Sequence, residues 1–270
     1  MHRLIVCLLL VVFHSVNAEP SFIVVQSTTS TQNSGLLDYL LPQFTKGTGI
    51  EVRVVAVGTG QAIKNARNGD GDVLLVHAKK AEQAFVASGF GVERRDLMYN
   101  DFVIVGASTD PAKVATSESA ALALQAIAGA EAPFISRGDD SGTHKKELSL
   151  WSGSGVDLAA KSGTWYRESG SGMGATLNMA SGMNAYTLTD RATWISFKNK
   201  GDLRILYEGD EALFNQYGII LVNPEKHSMV KAEAAQKFID WILGEEGQSA
   251  IAAFQVEGQQ LFYPNAIRNH

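Results

Sequence analysis

The segment FISRGDDSGTH, Phe134–His144, places an arginine, carboxylates and hydroxyl side chains between a short apolar run and a helical pattern. The guanidinium of Arg137 suits a two-bond grip on an oxyanion, and Asp139 could hold it in place. The predicted helix opens with Ser141, Gly142 and Thr143. Since the first N–H groups of a helix are free to bind an anion, the segment predicts an oxyanion-binding site. The simpler alternative is a surface ion pair beside an ordinary helix cap.

Three further segments have the same form, a turn between a strand and a helix. STTSTQNSG at 27–35 carries Thr29 and Ser30 in a run of hydroxyl residues, and VGTGQ at 57–61 carries Thr59 between two glycines. GMGATLNMA at 172–180 opens its predicted helix around Gly174, Ala175 and Thr176. Each segment alone could be only a cap or a turn. Together they favour a ligand site beyond the carboxyl ends of strands, where helix N-termini point.

Enzyme and metal chemistry have less support. Ser141 and His144 lie three residues apart on one predicted helix, but a serine nucleophile also needs an acid that orients its base and an oxyanion hole. A secreted serine hydrolase therefore stays only as a distant alternative, and no catalytic residue is predicted. His144 and Glu147 have a spacing that metals can use, but the sequence shows no further His or Cys cluster. Neither a metal site nor a cofactor is expected.

The elements that must position these segments follow from the hydrophobic pattern. Short β-branched runs such as FIVVQ, IEVRVVAV and DVLLVH alternate with amphipathic runs. This alternation predicts an α/β fold with a mainly parallel sheet flanked by helices. Crossovers are expected near residues 103–107 and 217–222. They predict a first lobe of residues 19–106 plus 210–270 and a second lobe of residues 107–209.

The first 18 residues predict a cleaved secretory signal peptide. A basic start at Arg3 precedes an apolar run, and small residues lead to a cut after Ala18. The single cysteine, Cys7, lies inside this segment, so the mature chain is expected to have no disulfide and no lipid anchor. These features predict a secreted protein.

Composition narrows the class of partner. The formal net charge is -5, and the sequence contains no basic run or interleaved aromatic stripe, so binding to nucleic acid is not expected. Hydrophobic residues make up 45% of the chain, which suffices for a full core. The sequence beyond the first 18 residues shows no apolar run long enough to cross a membrane.

The chain resembles the TupA-type tungstate-binding proteins, the periplasmic components of tungstate ABC importers. The resemblance covers nearly the whole mature chain in order. Its motifs are STTSTQNSGLL, VGTGQA, DVLLVH, MYNDFVIVG, SRGDDSGTHKKE, GMGATLNMA, AYTLTDR and LFYPNA. Departures are small: Ser27 stands where the family tends to have threonine, and Ala107 where it often has proline.

This resemblance implies a periplasmic binding protein of two α/β lobes, each a mainly parallel sheet flanked by helices, with the ligand in the cleft between them. Such a protein captures tungstate, with molybdate as a second ligand, and delivers it to a membrane permease. It implies a monomer without a cofactor. The ligand roles it assigns fall on Thr29, Ser30, Arg137, Ser141 and Thr143, with weaker transfers to Thr59 and to the turn of Gly174, Ala175 and Thr176. Gly142 completes the predicted set through its place in the helix start.

Phosphate remains the alternative ligand within the same fold. Phosphate-binding proteins also use an Arg-x-Asp followed by Ser-Gly-Thr, so this segment does not decide between the two anions. Phosphate near neutral pH carries a proton that needs an acceptor, and neither STTSTQNSG nor VGTGQ contains a carboxylate. A site made only of donors further predicts tungstate affinity that is nearly flat between about pH 6 and 8.

Overall fold

The computed structural model describes residues 22–139, 141–158 and 160–266, so the predicted signal peptide and Cys7 lie outside the described residues. Its strands are β1 (Phe22–Thr28), β2 (Glu51–Val57), β3 (Val73–Val76), β4 (Gly91–Ala107), β5 (Phe134–Ser136), β6 (Tyr166–Glu168), β7 (Thr187–Asp190), β8 (Leu203–Tyr207), β9 (Phe214–Val222), β10 (Gln255–Val256), β11 (Gln259–Gln260) and β12 (Tyr263–Pro264). Its α-helices are α1 (Thr29–Asn33), α2 (Leu36–Thr48), α3 (Thr59–Asn68), α4 (Lys79–Ala87), α5 (Ala120–Gly129), α6 (Gly142–Ser154), α7 (Met173–Met183), α8 (Arg191–Ser196), α9 (Ala232–Leu243) and α10 (Glu245–Ala253).

Eight strands are joined into one system through β4. Six of them follow the order β12-β4-β9-β3-β1-β2, and β7 and β8 also pair with β4. Strand β1 runs parallel to both β2 and β3. The turns that follow these three strands therefore emerge at one edge of the sheet. A separate parallel pair, β5 and β6, supplies two further turns.

The predicted α/β architecture is confirmed, but the sheet is mixed rather than mainly parallel. Strand β9 runs antiparallel to β3 and β4, and β4 runs antiparallel to β7 and β8. Alternation of strands and helices in a sequence identifies the strands. The direction of a strand depends on where the chain re-enters the sheet, and a strand that arrives from another part of the molecule does not need the crossover helix of a parallel neighbour.

Strand β4 changes partners along its length. Its residues 91–101 pair with β9, whereas residues 102–107 pair with β7 and β8. Two large hydrophobic clusters accompany these two sets of strands: Phe44 and Phe238 belong to one, and Phe134 and Trp151 to the other. The lobe boundaries predicted at residues 107 and 209 stay predictions, and the change of partners lies just before the first of them.

Among the described residues, no helix is both long and apolar enough to cross a membrane. The longest helices, α2 and α6, have 13 residues each.

Candidate anion-binding site

The hydroxyl run forms the turn between β1 and α1. Thr28 is the N-cap residue of α1, and its Oγ1 accepts a hydrogen bond of 3.2 Å from the backbone N–H of Thr31. Thr28 itself is buried, whereas Thr29 and Ser30 at the start of the helix are exposed. Because the first N–H groups of an α-helix have no partner inside the helix, these two residues present backbone donors at the surface, and Ser30 also presents its hydroxyl.

The turn after β2 lies against the same edge. Strand register pairs Thr28 with Val57, and the Thr29 hydroxyl donates to the Val57 carbonyl at 3.4 Å. Helix α3 then begins at Thr59 without a side-chain cap on its N-terminus. A Cβ atom added at Gly58 would meet no atom within 4 Å, so the space beside this turn is open. The structure thus brings Thr59 next to the hydroxyl run, as the sequence predicts for parallel neighbours.

A histidine that the sequence did not single out as a site residue completes this group. His77 follows β3, and its Nε2 lies 3.2 Å from Ser30 Oγ and 3.3 Å from Thr28 Oγ1. Its ring packs on Tyr217 with 4.7 Å between centroids. Burial lowers the pKa of His77, partly offset by hydrogen bonds with Asn215 and with its own backbone. We call the turns after β1, β2 and β3 the hydroxyl half of the site.

A second group forms around the turn after β5. Arg137 is part-buried and donates from Nη2 to the Asp139 carboxylate, the ion pair expected from the sequence. Arg137 Nε is buried and has no hydrogen-bond partner among the described residues. Asp139 also accepts from the Ser141 N–H at 3.3 Å. Burial alone would raise the pKa of Asp139, but the hydrogen bonds from Ser141 and Arg137 outweigh it and hold the pKa below its usual value.

Helix α6 opens directly beside this ion pair. Ser141 is its N-cap residue, and its Oγ accepts from the His144 N–H at 3.2 Å. The Ser141 side chain is also hydrogen-bonded to the Asp139 carboxylate, so its hydroxyl proton is engaged within the turn. Gly142 is exposed and Thr143 is buried within the first turn, whose N–H groups lack partners inside the helix.

The turn before α7 is tied to the arginine by its backbone. The Arg137 carbonyl accepts from the Ser169 hydroxyl at 3.1 Å and from the Ser171 N–H at 3.2 Å. Thr176 is buried, and its hydroxyl contacts Ser169 Oγ at 2.8 Å and the Gly172 carbonyl at 3.2 Å. The Thr176 side chain therefore stabilises the turn. The exposed residues of this helix start are Gly174 and Ala175.

A buried carboxylate lies behind the arginine. Glu147 is 2% exposed and accepts hydrogen bonds of 2.8 Å from both the Ser136 hydroxyl and the Tyr166 hydroxyl. Burial raises the pKa of Glu147 to about 7, although hydrogen bonds from Tyr166, Ser136 and the Arg137 backbone oppose the rise. In the sequence, Glu147 is related to His144 only by a three-residue spacing that metal ligands can use. The described residues contain no cluster of His, Cys, Asp and Glu that could hold a metal ion. We call the turns around Arg137, α6 and α7 the arginine half of the site.

Comparisons with known proteins agree on the class of this architecture. Residues 15–246 match the profile of the PBP superfamily domain. The tungstate-binding protein TupA of Peptoclostridium acidaminophilum is 52% identical over 250 residues, which cover 91% of this chain and 86% of that protein. A solved TupA structure from Desulfovibrio alaskensis G20 is 49% identical with a TM-score of 0.88, covering 92% of this chain and all of that one. The tungstate ABC transporter structure from Geobacter sulfurreducens is 53% identical with a TM-score of 0.71, covering 86% of this chain and 98% of that one.

Proposed function

The chain belongs to the TupA-type tungstate-binding proteins of the periplasmic binding protein superfamily, and from that premise we propose that it captures the tungstate dianion between its hydroxyl half and its arginine half. It is a solute-binding protein of a transport system and not an enzyme. The observation that carries the proposal is chemical: both halves present hydrogen-bond donors at strand-to-helix turns. A fully deprotonated oxyanion offers only acceptors, so such a set satisfies it completely.

We assign the contacts by the donors that each residue has left. Ser30 and Thr59 would bind through hydroxyls and first-turn N–H groups of α1 and α3, and Thr29 through its N–H, because its hydroxyl donates to the Val57 carbonyl. Arg137 would bind through Nε, the nitrogen that lacks a partner among the described residues. The remaining proposed contacts are first-turn N–H groups, those of Gly142 and Thr143 in α6 and of Gly174 and Ala175 in α7. Ser141 and Thr176 would support these turns, because the Ser141 N–H donates to Asp139 and the Thr176 N–H and hydroxyl donate to the Gly172 carbonyl.

The same set of donors argues against phosphate. A bound phosphate that carries a proton needs an acceptor, and leaving that proton unpaired costs about 1 to 3 kcal/mol. Asp139 is the carboxylate closest to the arginine along the chain, but its oxygens already accept from Arg137 and Ser141. Glu147 is buried behind the arginine and accepts from Ser136 and Tyr166.

Capture is proposed to close a cleft by rotation about the strand segments that link the two halves. Arg191 makes two hydrogen bonds to Asp101, of 2.7 and 2.5 Å, where β4 changes partners, and a third of 2.6 Å to Glu208. These ion pairs would fix the point at which β4 changes partners, and the strand segments on either side of that point would rotate. The closed form would dock, as a monomer in the periplasm, on the membrane permease of an ABC importer. Molybdate is proposed as a second ligand, since it has nearly the same size and charge.

Calorimetric titration with tungstate, molybdate, sulfate and phosphate tests the proposal. We expect one tungstate site per chain, a related molybdate site, and no competition from phosphate at equal concentration. Thermal unfolding gives an independent readout, because a ligand specific for the folded state stabilises it by about 4 kcal/mol at a thousandfold excess over Kd. Binding of phosphate without any response to tungstate or molybdate would overturn the assignment.

A further inference from the structure

Arg137 is held by its backbone rather than by its side chain alone. Its carbonyl accepts from Ser169 and Ser171, and its N–H donates to the Glu147 carboxylate. The residue before Arg137, Ser136, donates a hydrogen bond from its hydroxyl to Glu147 at 2.8 Å and accepts one from the Gly138 N–H at 3.2 Å. Glu147 is therefore the anchor through which helix α6 fixes the backbone of residues 136–138.

The backbone of residues 136–138 is restricted to its observed conformation. Gly138 has a φ of +59°, and a Cβ atom added there would lie 2.7 Å from the Glu168 side chain. The position of Arg137 therefore depends on the hydrogen bonds that its neighbours make. Loss of the Glu147 anchor would leave buried donors on Ser136 and Tyr166 without an acceptor.

The charge of Glu147 also bears on an anion bound at Arg137. An ionised carboxylate next to the Arg137 backbone repels a dianion, whereas a protonated one does not, so the bound dianion favours the protonated form. The groups that face Glu147 are Tyr166 on β6, Ser136 and Arg137 on the β5 turn, and Trp151 one turn further along α6. The hydrogen bonds to its two oxygens come from neutral hydroxyls.

We propose that Glu147 is a positioning residue for Arg137 and that capture of the anion is coupled to uptake of a proton by its carboxyl group. This inference rests on the proposed function. It replaces the flat pH profile expected from ligand contacts alone, because Glu147 lies behind those contacts. The protonated carboxyl keeps an acceptor oxygen for one hydroxyl and donates its proton to the oxygen of the other.

The sign of the effect follows from linkage. With its pKa near 7 in the free protein, Glu147 is partly ionised at neutral pH. A dianion that raised this pKa by about one pH unit would weaken tungstate binding by up to about tenfold as the pH rises from 6 to 9. The same coupling predicts net proton uptake on binding at pH 7.5.

Titration calorimetry in two buffers of different protonation enthalpy measures this uptake on the unaltered protein. We expect a fraction of a proton taken up per tungstate at pH 7.5 and tighter binding at pH 6 than at pH 9. Glu147→Gln should abolish both effects, while Glu168→Gln, an exposed carboxylate on the adjacent strand, should leave them unchanged.

The outcomes separate the two ideas. Tungstate binding with no proton uptake and no change between pH 6 and 9 in the unaltered protein would overturn the coupling but not the function, even if Glu147→Gln failed to fold. The coupling is likewise overturned if Glu147→Gln keeps the pH dependence of the parent. An absence of tungstate binding at every pH would instead overturn the proposed function.

Discussion

The two halves of the proposed site use different chemistry for one ligand. In the hydroxyl half, Ser30 and Thr29 are neutral donors, and burial lowers the pKa of His77 beside them. In the arginine half, Arg137 carries a full charge, Asp139 holds it, and Glu147 lies buried behind it. Hydrogen bonds to a charged group are roughly twice as strong as neutral ones. The arginine half should therefore supply most of the affinity, and the hydroxyl half most of the discrimination by geometry.

The largest effect is expected from Arg137→Ala. Removing one partner of a desolvated charged pair should weaken tungstate binding by about 2 to 4 kcal/mol, and Arg137→Lys should restore only part because an ammonium group lacks the planar fork. Calorimetry on both variants measures the loss. Arg204→Ala is the matched control, since its side chain is 59% exposed. An Arg137→Ala protein that binds tungstate like the parent would show that the arginine half is misplaced.

The next effect concerns stability rather than binding. Since the pKa of Glu147 rises from 4.5 in the unfolded chain to about 7 in the fold, the protonated form stabilises the folded state. That stability is fully present below pH 4.5 and is lost as the pH rises through 7, a change of up to about 3 kcal/mol. Urea unfolding at pH 5 and pH 8 should show the loss, and Glu147→Gln should remove this contribution. If the free energy of unfolding changed equally with pH in the parent and in Glu147→Gln, Glu147 would not be the group that titrates.

A smaller effect is expected in the hydroxyl half. Ser30→Ala should cost about 1 kcal/mol of tungstate affinity, the net value of a neutral hydrogen bond. His77→Gln should cost less, because it acts on the ligand through Ser30. A double-mutant cycle should show that the His77 effect largely disappears when Ser30 is already alanine. His227→Gln serves as a control outside the site, and additive losses at Ser30 and His77 would refute the indirect role.

The smallest effect on affinity is expected at Thr176. Its hydroxyl is occupied by Ser169 and by the Gly172 carbonyl, so Thr176→Val should lower the melting temperature while tungstate affinity stays within about twofold of the parent value. A large loss of affinity with an unchanged melting temperature would assign the hydroxyl a direct ligand role.

The sequence predicts which turns could form the site, because hydroxyl and glycine residues between a strand and a helix identify helix starts. Parallel pairing of β1 with β2 and of β5 with β6 then brings those turns together. It does not predict His77 or Glu147 as partners of the site, because their contacts join residues that are distant in the chain or lie beneath a turn. His77 reaches Ser30 across 47 positions. The local pattern around Glu147 is only that of a helix.

The sequence does not predict the mixed sheet or the change of partners in β4, and the reason is related. Local alternation identifies strands, whereas the pairing of β4 with β9, and then with β7 and β8, is decided by packing of the two hydrophobic clusters. The ion pair of Arg191 with Asp101, 90 positions apart, is likewise visible only in the folded chain.

The central claim, a tungstate dianion held between the two halves, is tested most directly by a crystal structure of the tungstate complex recorded at the tungsten absorption edge. The anomalous signal locates the metal atom independently of any assumption about the site. We expect one tungsten position per chain, with tungstate oxygens about 3 Å from Ser30 Oγ, from the Arg137 guanidinium and from the first N–H groups of α6. A tungsten atom bound to only one half, or lying away from both Ser30 and Arg137, would contradict the account.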